Sequence, residues 1–532
     1  MTQQIASVMD SFPTTAELYV DLACRKLPVV SDVLHRFGDL SLIDYLDHLT
    51  PESGRPFQEG GSLFKIIHQE VADLLGIEIA RKTVEDLEKV PMVLTANHQG
   101  VDYFAQSIQG TLIFALNRIG KKAGLQTVPV FSCGNVPLDN LTYPRGVLLY
   151  RVEESALNEM PKRLPLFPDS MKRTMVSMSP PFTDAMVQAV KARLSNLVRK
   201  NVVQQSLEPF LQEILEKDYR LACRPELSSY SSQASIVNHR IWKRLFDNIP
   251  NVPELIYLEL EKVAAKTLAA DLGNQKSLGF LVLFDPALKE RVIDELDDAM
   301  SCWNLSKLKQ RLNSRGISAS QMPFLNNCGT VFFWGIDSSG RKIPLYLVRE
   351  SAGKEYLKGI DDRGGLFELS YTPESILDGL EHNRLLPALF TCFLVLSFAR
   401  GIRCPGGYFK EMYVPGMHRG LVNALRETRN EDIAHRIGTY RRSYLSGMMA
   451  VMSEINGEYL VPAGPVEIIS SGGLTGKDIE KMQALRVREA HLAGLFETIQ
   501  DLLPPEERPL DWKKELARDC FKLMKKKAVL LK

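Results

Sequence analysis

The sequence predicts an α/β protein: a Rossmann-like, mostly parallel sheet with helical N-terminal and C-terminal regions and a long helical insertion. Two apolar runs of strand length, 92–96 and 127–131, each discharge into a polar, glycine-bearing loop, and an apolar helical segment at 104–119 joins them. Such a βαβ unit sets two strand ends side by side, where ligands of open α/β sheets bind. Helical periodicity on both sides of this unit, and again at 182–270, supplies the remaining layers.

Residues 1–90 read as a helical region packing on the core. Thr14 and Glu17 stand at capping-box spacing, apolar positions recur at helical intervals to Leu49, and prolines and glycine break the pattern at 50–56. A second block, 63–87, carries Leu63, Ile67, Val71 and Leu74 on one face opposite charged residues. Residues 91–180 form the first half of the core with the ligand crevice, including a third short strand at 146–150. The segment 160–182, rich in Pro, Met and basic residues without a period, reads as an irregular connection or an active-site flap. Residues 181–275 are a helical insertion or arm, and a homodimer would form through these helices.

The second half of the core spans 276–400. The continuous apolar run at 278–285 predicts a central strand, and 330–336 with 343–348 flank the turn residues 337–340 as a hairpin. An edge strand follows at 367–370, then a helix capped by Thr372 with Pro373 at its first position, and a buried helix at 385–399. Residues 401–532 read as helical after a break at 404–409, with one interruption at 459–465 and a basic, solvated helix end at 521–527.

Composition narrows the function classes. A chain of 532 residues exceeds what one core usually holds, so two or three domains are expected. A net charge of +1 offers no footprint for nucleic acid or an anionic membrane, and the longest uncharged run, 385–399, is too short to span a bilayer. The eight cysteines are scattered without a CxxC pair, which argues against disulfides and zinc and for a reducing cytoplasm; no metal site is readable. The N-terminus lacks a basic stretch followed by an apolar one, so secretion is not expected.

The chemistry concentrates in the two loops. In the first, Gly100 permits close backbone approach, Asn97 and Gln99 offer paired donors and acceptors, and His98 serves as donor or base. His98 and Asp102 also form an HxxxD pair, the spacing of acyltransferases in which His is the base and Asp orients a loop. From the second loop Asn135, Asp139 and Arg145 are candidates to hold an amino group, a ribose or a phosphate; ordinary turn capping is the competing role. Neither GxGxxG nor GxxxxGK[ST] is present. Around 472–477 the glycines and Thr475 read as a helix cap, Cys404 sits in a tight turn, and Asn238 and His239 read as packed residues of a helix.

Read together, the run VLTANHQGV at 93–101, the helix after it and VPVF at 128–131 resemble the bacillithiol-biosynthesis cysteine-adding enzymes. In that family a TGQQxGLF-like loop ends one strand, and VPVFW precedes an acidic-His cluster. Thr95 matches, Gln99 and Gly100 match in part, Asn97 and His98 replace Gly-Gln, and residues 132–135 stand in place of the acidic-His cluster. The resemblance implies a Rossmann-like core of the class I synthetase kind, a nucleotide site for ATP or ADP at the strand ends, and ligation of an amino acid to a small amine. The expectation is a small-molecule biosynthetic enzyme of ligase type. His98, Gln99 and Asp102 would be catalytic, with Thr95, Asn97, Gly100, Asn135, Asp139 and Arg145 binding substrate or nucleotide. The alternatives are an HxxxD-type acyltransferase with His98 as general base, and a non-enzymatic binding or assembly protein on a degenerate ligase scaffold.

Overall fold

Extended backbone at 91–99 hydrogen-bonds on both sides. Toward one neighbour, Leu94 N donates to Pro129 O at 2.9 Å, Phe131 N to Leu94 O at 2.8 Å and Cys133 N to Asn97 O at 2.9 Å. Toward the other, Val93 N reaches Arg403 O at 2.9 Å and Thr95 N reaches Pro405 O at 2.8 Å. The strand Thr127–Ser132 then pairs in parallel with Glu254–Glu259, from Thr127↔Glu254 to Ser132↔Glu259. Four parallel segments therefore lie in the order 402–406, 91–99, Thr127–Ser132 and Glu254–Glu259, and the helix Ala105–Ala115 joins the middle two as the periodicity predicts.

This computed structural model describes residues 14–50, 58, 60–119, 124–317, 327–351, 353–438, 440–445 and 447–531. Alternate side chains of the parallel segments enter opposite cores: Leu94, Val128, Val130 and Tyr257 one, Val93, Phe131, Ile256 and Leu258 the other. A sheet buried on both faces explains why its strands are continuously apolar. Its entry edge is fastened by Asp86, whose Oδ2 accepts from Gln126 N, Thr127 N and the Thr127 hydroxyl at 2.7 to 2.8 Å.

The remaining sheets are small and largely antiparallel, so the chain is a mixed helix and strand protein in which the parallel core is one layer among several. Gly146–Leu149 pairs with Lys162–Pro165, which gives part of the 160–182 connection a regular structure. The hairpin forms between Phe333–Ile336 and Lys342–Pro344 but is shorter than the expected 330–348, since Tyr346–Arg349 pairs instead with Glu355–Ile360 in another sheet, whose edge strand is the expected one, Leu366–Ser370. The Thr14–Glu17 capping box and the Thr372 cap are also formed. The 63–87 block is two helices, Gly61–Leu75 and Ile77–Lys89, broken at Gly76.

Several expectations are corrected. The run at 278–285 is a helix, Leu278–Phe284: Ser277 caps its start, its hydroxyl accepting from Phe280 N at 3.0 Å, and Asp285 caps the next helix. A seven-residue apolar run between two capping residues suits either state by pattern alone, and the caps decide. The 182–270 region contains the strand Glu254–Glu259, and its Tyr230–Arg244 helix is packed into the core through Tyr230, Ala234, Val237 and Trp242 instead of projecting as an arm. Within 385–399 the helix is preceded by a short strand, Leu385–Pro387. The C-terminal region holds a sheet: Val451–Ile455 pairs with Tyr459–Pro462 and with Val529–Leu531, so the basic segment leads into a strand instead of fraying. Residues 1–13 and 51–57, which carry the N-terminal reading and most of the break at 50–56, lie outside the described residues. No helix among the described residues is long and apolar enough to cross a membrane.

Candidate functional site

The first loop owes its shape to residues more than a hundred positions away. Gly100 has φ +133°, and a Cβ there would sit 2.7 Å from Pro144 Cβ, so only glycine fits without strain. Asn238 clamps the loop from the Tyr230–Arg244 helix, its Nδ2 donating to Gly100 O and its Oδ1 accepting from Asp102 N, both at 2.8 Å. Val101 N donates to the Tyr230 hydroxyl at 3.0 Å, and that hydroxyl donates to Pro144 O at 2.6 Å. Asp102 points inward, accepting from Asn97 Nδ2 at 3.0 Å, the Ser107 hydroxyl at 2.6 Å and Phe104 N at 3.3 Å; burial pushes its carboxyl up to about 7. Gln99 is fully buried, receiving the Ser132 hydroxyl and donating to Ser231 O and Oγ at 3.0 Å. Gln99, Gly100 and Asp102 thus build the loop, and none of them lines the space beyond it.

That space is a cavity of about 1180 Å³ at the ends of the 91–99 and Thr127–Ser132 segments, where the sequence places the crevice. Thr95, Asn97, His98 and Asn135 line it, with Gln106 from the first turn of the Ala105–Ala115 helix. Asn97 is 1 % exposed and Asn135 and Gln106 are 7 % exposed, yet Asn97 Oδ1, Asn135 Oδ1 and Gln106 Nε2 have no hydrogen-bond partner. Two acceptors and one donor are therefore desolvated and unanswered, an arrangement that costs free energy.

His98 is half-buried beside them. Its Nδ1 lies 3.1 Å from the Thr142 hydroxyl, and Asn140 supports both groups. Burial lowers its pKa to about 4, so the ring is neutral at physiological pH. With Nδ1–H given to Thr142, Nε2 carries the basic lone pair. Beneath the loop, buried Glu261 accepts from Gly134 N at 2.7 Å, Asn135 N at 3.1 Å and the Cys133 thiol at 3.1 Å. Burial raises the pKa values of Glu261 and of Glu259, the latter to about 7 with Glu261 as a further cause.

Asp139 and Arg145 serve elsewhere. The buried Arg145 guanidinium donates to Phe167 O at 2.9 Å, pairs with Asp169, and lies 3.6 Å from Asp139, fastening the second loop to the strap behind it. That strap does border the cavity: Arg173 and Met175 line it, Val176 N donates to Val136 O at 3.0 Å, and Met175 N donates to Gly340 O at 3.0 Å. The hairpin 333–344 is thereby laid against the second loop, bringing Arg341 and Lys342 to the cavity. Gln106, Thr142, Glu261, Arg341 and Lys342 are site residues that pattern reasoning passed over, and Asn238, read there as a packed helix residue, is buried as expected and clamps the loop.

The remaining candidates have structural roles. Cys404 is buried, its thiol pushed up to about 12, and Thr475 caps the helix Gly476–Ala484. His239 Nδ1 faces Leu255 O at 3.0 Å, and among the described residues no three His, Cys, Asp or Glu side chains gather as metal ligands. Comparisons of the chain with protein-family models, with curated proteins and with solved structures found no significant match.

Proposed function

We propose that the protein is a small-molecule enzyme working in this cavity, of ligase type, joining an amino-acid-like acid to an amine. One observation carries the reading: Asn97, Asn135 and Gln106, whose Oδ1, Oδ1 and Nε2 atoms lack partners, line one cavity together with a neutral histidine. Two acceptors suit the hydrogens of an ammonium, amine or hydroxyl group, and the amide donor suits a carbonyl or carboxylate oxygen. With the acid's carboxyl activated as a phosphoric anhydride at ATP's expense, the amine would attack its carbonyl carbon, the C–N bond forming as the C–O bond to the departing phosphate breaks, and His98 Nε2 would take the amine's proton. The four parallel segments support a Rossmann-like ancestry, with ATP or ADP as the expected nucleotide at their ends.

A panel of amino acids and amines, assayed with ATP for phosphate or pyrophosphate release and for a condensed product, tests this. His98→Ala should abolish turnover and leave the melting temperature nearly unchanged; retained turnover with a large stability loss overturns the reading. Once the amine substrate's own protonation is accounted for, His98 should contribute no loss of kcat/KM above about pH 5 and a fall below about 4.

A second reading, acyl transfer with His98 as base, draws on Asp102, which orients the loop without touching the histidine. Thermal-shift measurements with ATP, ADP and an acyl-CoA separate the two, since a ligand selective for the native state raises its stability.

A further inference from the structure

We propose that the cavity lined by His98 binds a condensed phosphate group through Lys307, Arg341 and Lys342. This rests on the cavity being the working site and gives one of its substrates a charge class.

Six basic side chains line the cavity, Arg173, Lys307, Arg311, Arg341, Lys342 and Lys410, against three acidic ones, Asp298, Asp362 and Asp501. Half of the cations are answered within the protein. Arg173 and Arg311 share Asp362, and the Lys410 ammonium lies 2.7 Å from Glu411 and is hydrogen-bonded to Tyr440. The acids do not answer the rest: Asp501 receives the Tyr408 hydroxyl, and burial raises its pKa to about 6, while Asp298 accepts from Asn304 Nδ2 at 2.8 Å.

Lys307, Arg341 and Lys342 are left without an ion pair among the described residues. Arg341 Nε is buried with no acceptor, although its backbone is anchored by Asp337 at 2.8 Å. The Lys342 ammonium sits 4.5 Å from the Trp334 ring centroid, and the carboxyl acting on it, Glu261, is already engaged by two backbone N–H groups. The three come from separate elements: the helix Leu305–Asn313, the end of the hairpin turn and the strand Lys342–Pro344.

Three cations that line one cavity without an ion pair make it attractive to an anion. A single carboxylate answers one of the three charges; a di- or triphosphate answers all of them. Arg341 offers two parallel N–H bonds to neighbouring oxygens, and the lysines act as point charges. A cavity of about 1180 Å³ exceeds the usual range of roughly 300–1,000 Å³ for one small ligand, leaving room for a second substrate at the amide wall. Side chains from three elements build this cradle, so no phosphate-loop motif accompanies it.

The test is calorimetric titration of the full chain at low salt with orthophosphate, pyrophosphate, tripolyphosphate and ATP. Saturable binding that strengthens with charge is expected, about tenfold or more between orthophosphate and tripolyphosphate, and weakening with added salt. The double variant Arg341→Gln/Lys342→Gln, and separately Lys307→Gln, should lose about tenfold or more in tripolyphosphate affinity. Lys276→Gln, an exposed cation outside the cavity, should match the wild type. ATP binding tighter than tripolyphosphate assigns the phosphate to a nucleotide, and equal affinity assigns it to the phosphate chain alone; either supports the site. No saturable binding of tripolyphosphate or ATP by the wild type, or variants within about twofold of it, overturns the proposal. If His98→Ala keeps turnover, the ligase reading falls while the anion measurements still decide this site.

Discussion

Two walls of the cavity are built on opposite principles. At the strand ends, Asn97, Gln99 and Asp102 are joined to Asn238, Ser231 and Ser107 by hydrogen bonds, and few amide atoms are left without a partner. Elsewhere on its lining, Lys307, Arg341 and Lys342 have no ion pair among the described residues. One wall is rigid because nearly every polar group is satisfied, which preorganises what remains; the other is uncompensated until a ligand arrives. Removing a group that holds the loop, such as Asp102, should therefore be strongly destabilising, and removing one of the three cations close to neutral.

Asp102→Ala tests the strand-end wall most severely. It leaves the Ser107 hydroxyl and Phe104 N without their acceptor and strips one of two acceptors from Asn97 Nδ2. A loss of about 3 kcal/mol in urea denaturation is expected. A loss below about 1 kcal/mol would mean that Asp102 is not a keystone of the loop. Gly100→Ala follows, at about 2 kcal/mol, since its φ of +133° strains any side chain and Pro144 lies where a Cβ would go. A wild-type midpoint for that variant would show the loop free to relax.

These two walls also differ in how readable they were. The first was visible because an apolar run leading into Asn97, His98 and Gly100 is a local pattern, and Val128 to Phe131 repeats it beside the second loop. The hairpin was visible for the same reason, from Asp337 and Gly340 at its turn. What fixes the loop was not, because Asn238 and Tyr230 act across more than a hundred residues and carry no local signature. Roles went astray along with the supports. Gln99 and Asp102 are as polar as His98, and only burial reveals that they face the core. The cationic wall was illegible, since Lys307 and Arg341 are two among 65 basic residues and their meaning lies in a missing counter-charge. The run at 278–285 misled in the opposite direction, presenting a strand-like pattern that Ser277 and Asp285 turn into a helix start and stop.

The smallest expected effect sharpens the contrast most. Lys342 is exposed to the cavity and Lys307 lacks an ion pair, so replacing either by Gln removes no protein hydrogen bond described for its side chain. Stability should change by no more than about 0.5 kcal/mol in either direction. Whatever change there is should shrink with salt, since screening of solvent-facing charges acts over about 10 Å at 0.1 M and less at higher concentration. The measurement is the denaturation midpoint of wild type, Lys307→Gln and Lys342→Gln at low and high salt. A loss beyond about 1 kcal/mol at either position would mean that these cations already have a structural partner, and the two walls would then follow the same rule.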